Sequence, residues 1–497
     1  MRSLRWLLPL VLIVGVQSAR AESGTSSIGE YHNGPDRSGH FVVPGLTWDR
    51  ARAIRPAAEF GASIPGHIYA QLLYWQPPGA RSGLLFVATE DDTVYALDAN
   101  TGAVVWRAAV GSPVPVSSLS CGNIDPLGIT GTPAIDRDTQ AVYLDAFVGG
   151  PNGPRHVVFG LSLRDGSILS GWPVTVSDML AKQGLRFNDR DQNQRGALTI
   201  AGGRVYVPFG GHFGDCGDYH GWVVGVSLSD PRDVIAWQTR ARGGGIWAPG
   251  GISYDGHSLF VATGNTMGAR TWADGEAVIR LGLDLTRSGE SRDFFAPRDW
   301  RELDDEDADL GGTAPLPLDL PGSHGPVPLL LALGKDGKAY LLDRQNLGGI
   351  GGALAAQAVS DESIRTASAA VRLGDSMMVA FQGEGSHCPN EVENAHLTVL
   401  RIRAEPTPSM ATGWCGSLEG AGAPIVTTSD GNGADPIVWI VGAEGDNRLH
   451  GYRADTGEEL TKGTGQAMEG LRHFVTILAA NGHLYIAGDG RIYGFVF

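Results

Sequence analysis

The sequence predicts an all-β propeller of eight four-stranded blades, with seven as the alternative count. Three observations carry this. The stretch "VYALDANTGAVVW" (Val94 to Trp106) sets two short apolar runs around an Asp-to-Gly turn, and the pattern recurs in "VVFGLSLRDGSILSGW", "GWVVGVSLSDPRDVIAW", "KAYLLDRQNLGG" and "RLHGYRADTGEEL". Unit starts near residues 67, 129, 193, 246, 311, 364, 421 and 472 give the spacing of a propeller repeat. Glycine is 72 of 497 residues and is scattered between apolar runs, as many tight turns require.

Each part of the motif has a physical reason. In "VYAL" alternate side chains face the two neighbouring blades. Asp98 and Asn100 can bond their own turn backbone, and Gly102 admits positive φ. Trp106 closes the strand as packing for the blade interface, and Trp172 and Trp237 stand at matching places. The last unit, from Phe474, supplies only three strands. "LTWDRARAIRPA" (Leu46 to Ala57) is expected to be extended and to provide the fourth, closing the ring without free sheet edges.

The chain opens as an export signal: Arg2 and Arg5, an apolar run from Leu7 to Val16, and Ala19-Arg20-Ala21 as a small-x-small cleavage site. The expected organisation is a signal over 1–21, an N-terminal extension over 22–45, and one propeller domain over 46–497. A secreted or periplasmic location follows. No later run reaches the length of a membrane span. Removing a leader with three arginines and no acid leaves 35 basic against 54 acidic residues, which disfavours nucleic acid or anionic lipid as a partner. Four cysteines in an exported chain suggest two disulfides, with Cys121–Cys216 and Cys388–Cys415 as the expected pairing. No C-x-x-C-H occurs, so no c-type haem is attached.

"VYALDANTGAVVW" and "GKDGKAYLLDRQNLGG" resemble the repeat of the pyrroloquinoline quinone (PQQ) dehydrogenases, eight-bladed quinoproteins; the same repeat also serves non-catalytic propellers. The resemblance implies PQQ and Ca2+ as cofactors and a site on three further stretches. In "GGGIWAPGGISYDGHSLFVATGN", Trp247 matches the aromatic floor beneath the quinone and Asn265 a calcium ligand. In "DADLGGTAPLPLDL", Asp309 matches the catalytic base, also counted as a metal ligand, although Asp304, Asp305 and Asp307 crowd the same loop. In "LLLALGKDGKAYLLDR", Lys335 matches the cation that contacts the quinone oxygens and polarises the hydride-accepting carbonyl. The sequence departs from the family in two ways. No Glu follows "ITGTPAID", where a calcium ligand is expected and Asp145 is the carboxylate at hand, and no adjacent-cysteine pair is present.

"GGHFGDCGDYHGW" gathers His212, Asp215, Cys216, Asp218 and His220. It reads either as a transition-metal cluster or as a glycine-rich loop pinned by a disulfide at Cys216. This loop and "GEGSHCPNEVEN" are expected to shape the mouth of the funnel. Two functions follow: an exported quinoprotein-like oxidoreductase acting on an alcohol or sugar and passing electrons to a separate acceptor, or a non-catalytic propeller binding a protein or glycan through its loops.

Overall fold

The computed structural model describes residues 27–497 except 81, 390, 391 and 465. The expected signal segment lies outside the described residues. Eight sheets form the ring, each a meander of antiparallel strands, and their inner strands begin near the eight expected unit starts. Blade 1 runs through Leu73–Trp75, Leu84–Thr89, Thr93–Asp98 and Val104–Ala109. The inner strands of blades 2 to 8 are Ala134–Asp136, Thr199–Ala201, Ser253–Tyr254, Leu316–Leu320, Ala369–Leu373, Ile425–Thr428 and Ile477–Ala480.

The repeat motif behaves as its chemistry requires. Asp98 accepts from the backbone N–H groups of Asn100 (3.0 Å) and Thr101 (2.9 Å), and Gly102 has φ +76°. Trp106 donates Nε1–H to Leu163 O of the next blade (3.1 Å), and Trp414 does the same to Ala454 O (2.9 Å). Between blades the cores are aliphatic and aromatic; Tyr143, Val158, Trp172, Val205, Val207 and Val224 fill the gap between blades 2 and 3. Both expected disulfides are formed. No helix among the described residues is long and apolar enough to cross a membrane.

The stretch Leu46 to Ala57 is only partly extended. Thr47 caps a short helix, Trp48–Arg52, through its side-chain oxygen, with Asp49 in the first turn. The chain then supplies Arg55–Pro56 and Ala62–Ser63, which pair with the last strand, Arg491–Val496, and complete blade 8. The ring is therefore closed by both chain ends, as the strand count required.

The preceding segment lies inside the ring. His40–Val42 pairs in parallel with Ile425–Thr428 of blade 7. Upstream, the chain bonds the inner strands of seven of the eight blades. Ile28 bridges Tyr74 (blade 1), Gly29 O accepts from Ile135 N (blade 2), and Glu30 accepts from Ile200 N (blade 3). Pro35 O accepts from Tyr254 N (blade 4) and Ser38 O from Ala370 N (blade 6). Gly39 O accepts from Val426 N (blade 7), and His32 Nε2 meets Thr476 Oγ1 of blade 8 at 3.0 Å. Tyr31 stacks on His32, with ring centroids 4.4 Å apart, and packs on Ala197, Ala367 and Ala423, small residues at the same place in three blades.

Arg37, 2% exposed, ties this plug together. It donates to Gly250 O (2.9 Å), Leu198 O (2.8 Å), Tyr31 O (3.2 Å) and Gly34 O (3.1 Å), to Thr199 Oγ1, and to Glu30 at 3.0 Å. A guanidinium has five donors, and here they are matched in full. Burial pushes both Glu30 and Arg37 towards their neutral forms, and their mutual pairing opposes it. Replacing Arg37 by Met should cost about 3–5 kcal/mol in chemical denaturation, because Glu30 is left buried without its cation. The Arg37→Met, Glu30→Gln double variant should recover part of that loss. Equal stability of wild type and single variant would show that the plug does not depend on the pair.

Candidate active site in the central funnel

Above the plug the ring encloses a cavity of about 510 Å³. Trp247, Asn265, Asp309 and Lys335, drawn from blades 4 and 5, all line it. Asp309 is their hub. It is 3% exposed and stands at the start of the Leu310–Gly312 turn. Its Oδ1 accepts from Asn265 N (2.7 Å); its Oδ2 accepts from Trp247 Nε1 (3.1 Å) and faces Lys335 Nζ at 2.5 Å. Lys335 Nζ also lies 5.1 Å from the Trp247 ring centroid and donates to Asp307 Oδ1 (2.9 Å).

Local structure explains this placement. The helix Trp300–Glu306 ends at Asp307 in a left-handed conformation (φ +53°), which turns the acidic run back toward the axis. Asp304 accepts from the backbone and hydroxyl of Thr266 (2.7 and 2.6 Å), tying the helix to the blade 4 loop that carries Asn265. Thus Asp304 anchors, and Asp309 faces the cavity. Gly264 makes room: a Cβ there would lie 2.6 Å from Asp309 Oδ1. Glu276, fully buried with φ +47°, accepts Leu310 N at 2.6 Å and holds the turn from below. Its position among mixed loop residues offered no periodic signal in the sequence.

Burial pushes the Asp309 carboxyl up, and Lys335, Trp247 and Asn265 N–H pull it back. With three donors on its two oxygens we take it as ionised. Asp309 and Asp307 hold the Lys335 ammonium above the ordinary lysine range against the opposing effect of burial. Glu276, desolvated and beside Asp309, is held well above the usual carboxylate range.

Other expected features fall elsewhere. Asp145 lies within blade 2, 1% exposed and 2.7 Å from His156 Nδ1, not in the cavity wall, so it does not replace the missing Glu. Cys216 is in its disulfide, His212 Nε2 bonds Arg190 O, and His220 Nδ1 bonds Thr239 O. The pinned loop, not a metal cluster, is what the structure contains; its residues Gly211 to Asp215 form part of the cavity wall, with Phe213 71% exposed.

The remaining wall contains residues that the sequence reading passed over: Arg195, Arg365, Glu444, His473 and Phe474. A signal for three of them exists. Tyr69, Thr130, Arg195, Arg365 and Ala421 each stand four residues before the first residue of an inner strand, and Phe474 three before, and all line the channel.

Known proteins are similar chiefly in fold. A family model described as outer membrane protein assembly factor BamB matches residues 47–234, blades 1 to 3. A quinohemoprotein alcohol dehydrogenase of Pseudomonas putida HK5 superposes with a TM-score of 0.64 at 13% identity, covering 95% of this chain and 80% of that one. In fold, the chain is similar to the propellers of quinoprotein dehydrogenases. A second quinohemoprotein alcohol dehydrogenase, from Comamonas testosteroni, gives 0.62 at 13% identity with the same coverages. A europium-containing methanol dehydrogenase gives 0.63 at 13%, covering 94% and 98%. No curated protein matches the sequence.

The residues fit the two implied cofactors unequally. Trp247, half-buried and facing the cavity, with Lys335 beside it, suits a flat anionic quinone. The donor set does not suit Ca2+. Lys335 Nζ already stands 2.5 Å from Asp309 Oδ2, and no three His, Cys, Asp or Glu side chains among the described residues converge as ligands.

Lys335→Met should therefore move the Asp309 titration to higher pH, since the first opposing cation is lost while burial stays. Trp247 donates to that carboxylate, so its fluorescence reports the step, with Trp247→Phe as the blank for the other tryptophans. An unchanged midpoint would mean that Lys335 does not set the charge of Asp309.

Proposed function

We propose that the funnel is the active site of an exported quinone-dependent oxidoreductase that oxidises an alcohol or sugar hydroxyl. The observation that carries this reading is the convergence of Trp247, Asp309 and Lys335 in one cavity, with the carboxylate held by three donors. A bound PQQ supplies a carbonyl that accepts hydride from the substrate carbon. Trp247 is the platform. Asp309 orients the hydroxyl and takes its proton. It is poised for this because burial favours protonation while the three donors hold it ionised until substrate arrives. Lys335 carries the positive charge that offsets charge developing beside it. The loop pinned by Cys121–Cys216 covers part of the mouth and limits water. Two disulfides support a site of action outside the cytoplasm.

A binding propeller without catalysis is the second reading, favoured by the match of residues 47–234 to an assembly-factor model. That match ends before Trp247, Asn265, Asp309 and Lys335, so it leaves the funnel chemistry untouched.

The test is reconstitution with PQQ, without and with added Ca2+, followed by dye-linked oxidation of a panel of alcohols and sugars. Turnover is expected, and Asp309→Asn should lower kcat/KM by about 10² to 10⁴ with the fold retained. No turnover in any arm, or full activity in Asp309→Asn, would overturn the assignment.

A further inference from the structure

Arg195 is a cation without a direct ion-pair partner; the carboxylates of Glu90 and Glu444 act on it only from beyond contact distance. Its guanidinium lies 4.9 Å from the Phe474 ring centroid and 5.7 Å from that of Tyr69, in the cavity wall. Among the described residues its side chain makes no hydrogen bond and no direct ion pair, although this chain is acidic overall, with 54 acidic against 38 basic residues. The carboxylate that faces it from the same wall, Glu444, is engaged by His473 through Nδ1 (2.9 and 3.0 Å) and through its backbone N–H (3.1 Å). Arg365 stands at the same register in blade 6, also without a polar partner among the described residues, and lines the same cavity. Both arginines lower the proton affinity of His473, as does its burial, so the imidazole beside them is neutral and adds no competing charge.

A desolvated guanidinium with unmet donors is costly unless an acceptor arrives with the ligand. We propose that Arg195, assisted by Arg365, is a carboxylate-binding subsite of the funnel. Two aromatic rings flanking a planar fork leave room for a planar, bidentate partner. A phosphate is less well served, because among the described residues no helix N-terminus stands beside the two arginines to meet a third oxygen. The proposal deepens the oxidoreductase reading: a molecule oxidised near Asp309 would carry its carboxylate at the arginines, making hydroxy acids the substrate class. The same chemistry is available from the carboxylates of PQQ, and the experiment separates the two sources.

Calorimetry on the unloaded and PQQ-loaded protein, with gluconate and with glucose as its uncharged counterpart, tests this without any need for turnover. Gluconate should bind and glucose should not. Arg195→Leu should weaken gluconate at least tenfold, Arg195→Lys should restore only part, and the exposed Arg365→Gln should weaken it less with the fold kept. If substrate supplies the carboxylate, gluconate binds loaded and unloaded protein alike. If PQQ supplies it, PQQ displaces gluconate, and PQQ affinity itself falls in Arg195→Leu. Unchanged gluconate and PQQ affinities in Arg195→Leu and Arg195→Lys, or binding of neither probe by wild type, would overturn the subsite. Arginine-dependent gluconate binding without turnover of any substrate would sink the oxidoreductase reading alone. Turnover of uncharged alcohols that is indifferent to both arginines would sink the subsite alone.

Discussion

A ring of eight twisted sheets leaves a hole on its axis, and the filling of that hole decides what the molecule can do. Arg37 solves the problem at one end. Its guanidinium meets carbonyl groups from blades 3 and 4 and the carboxylate of Glu30, while His32 reaches blades 6 and 8. The inner strands offer backbone groups that a purely apolar plug would leave unmatched, and each such group is costly when buried. A charged, multiply bonded plug satisfies them and converts a channel into a cup. Everything placed in the cavity above it, from Trp247 round to Arg195, depends on that floor.

The cup is electrostatically divided. On the side of blades 4 and 5 the cation Lys335 is neutralised by Asp309 and Asp307. On the side of blades 3 and 6 the arginines face the cavity without a direct ion pair, Glu444 being bonded to His473. A rigid scaffold with opposed polar groups on its loops is a common solution for orienting a small molecule. Under the proposed function this division would give a ligand a direction: anionic end to the arginines, reacting hydroxyl to Asp309. Glu276 holds the turn that carries Asp309 by accepting from Leu310 N, and burial beside Asp309 raises its own proton affinity.

How much of this could be read from the chain follows from the range of each interaction. The blade motif is local: an Asp turn, a positive-φ glycine and a closing tryptophan bond within a few residues or to the adjacent blade, so blade number and even the disulfide pairs were legible. Trp247, Asn265, Asp309 and Lys335 were singled out through the family resemblance of their stretches, and the structure brings them to one cavity. Asp145 does not replace the missing Glu because its strand turns it to His156 within blade 2. Arg37 and Arg195 were silent for a different reason. Each sits in unremarkable sequence, and its role exists only after ring closure brings distant blade starts around one axis. The helix Trp48–Arg52 was missed because five residues are too few to show a period.

The account stands or falls on whether a flat quinone occupies the cup. A crystal structure of the protein grown with PQQ tests this directly. The account predicts the ring system on the Trp247 face, beside Lys335 and within the cavity bounded by Asp309 and the arginines. An empty cup at saturating PQQ, or a quinone bound away from Trp247, would contradict it.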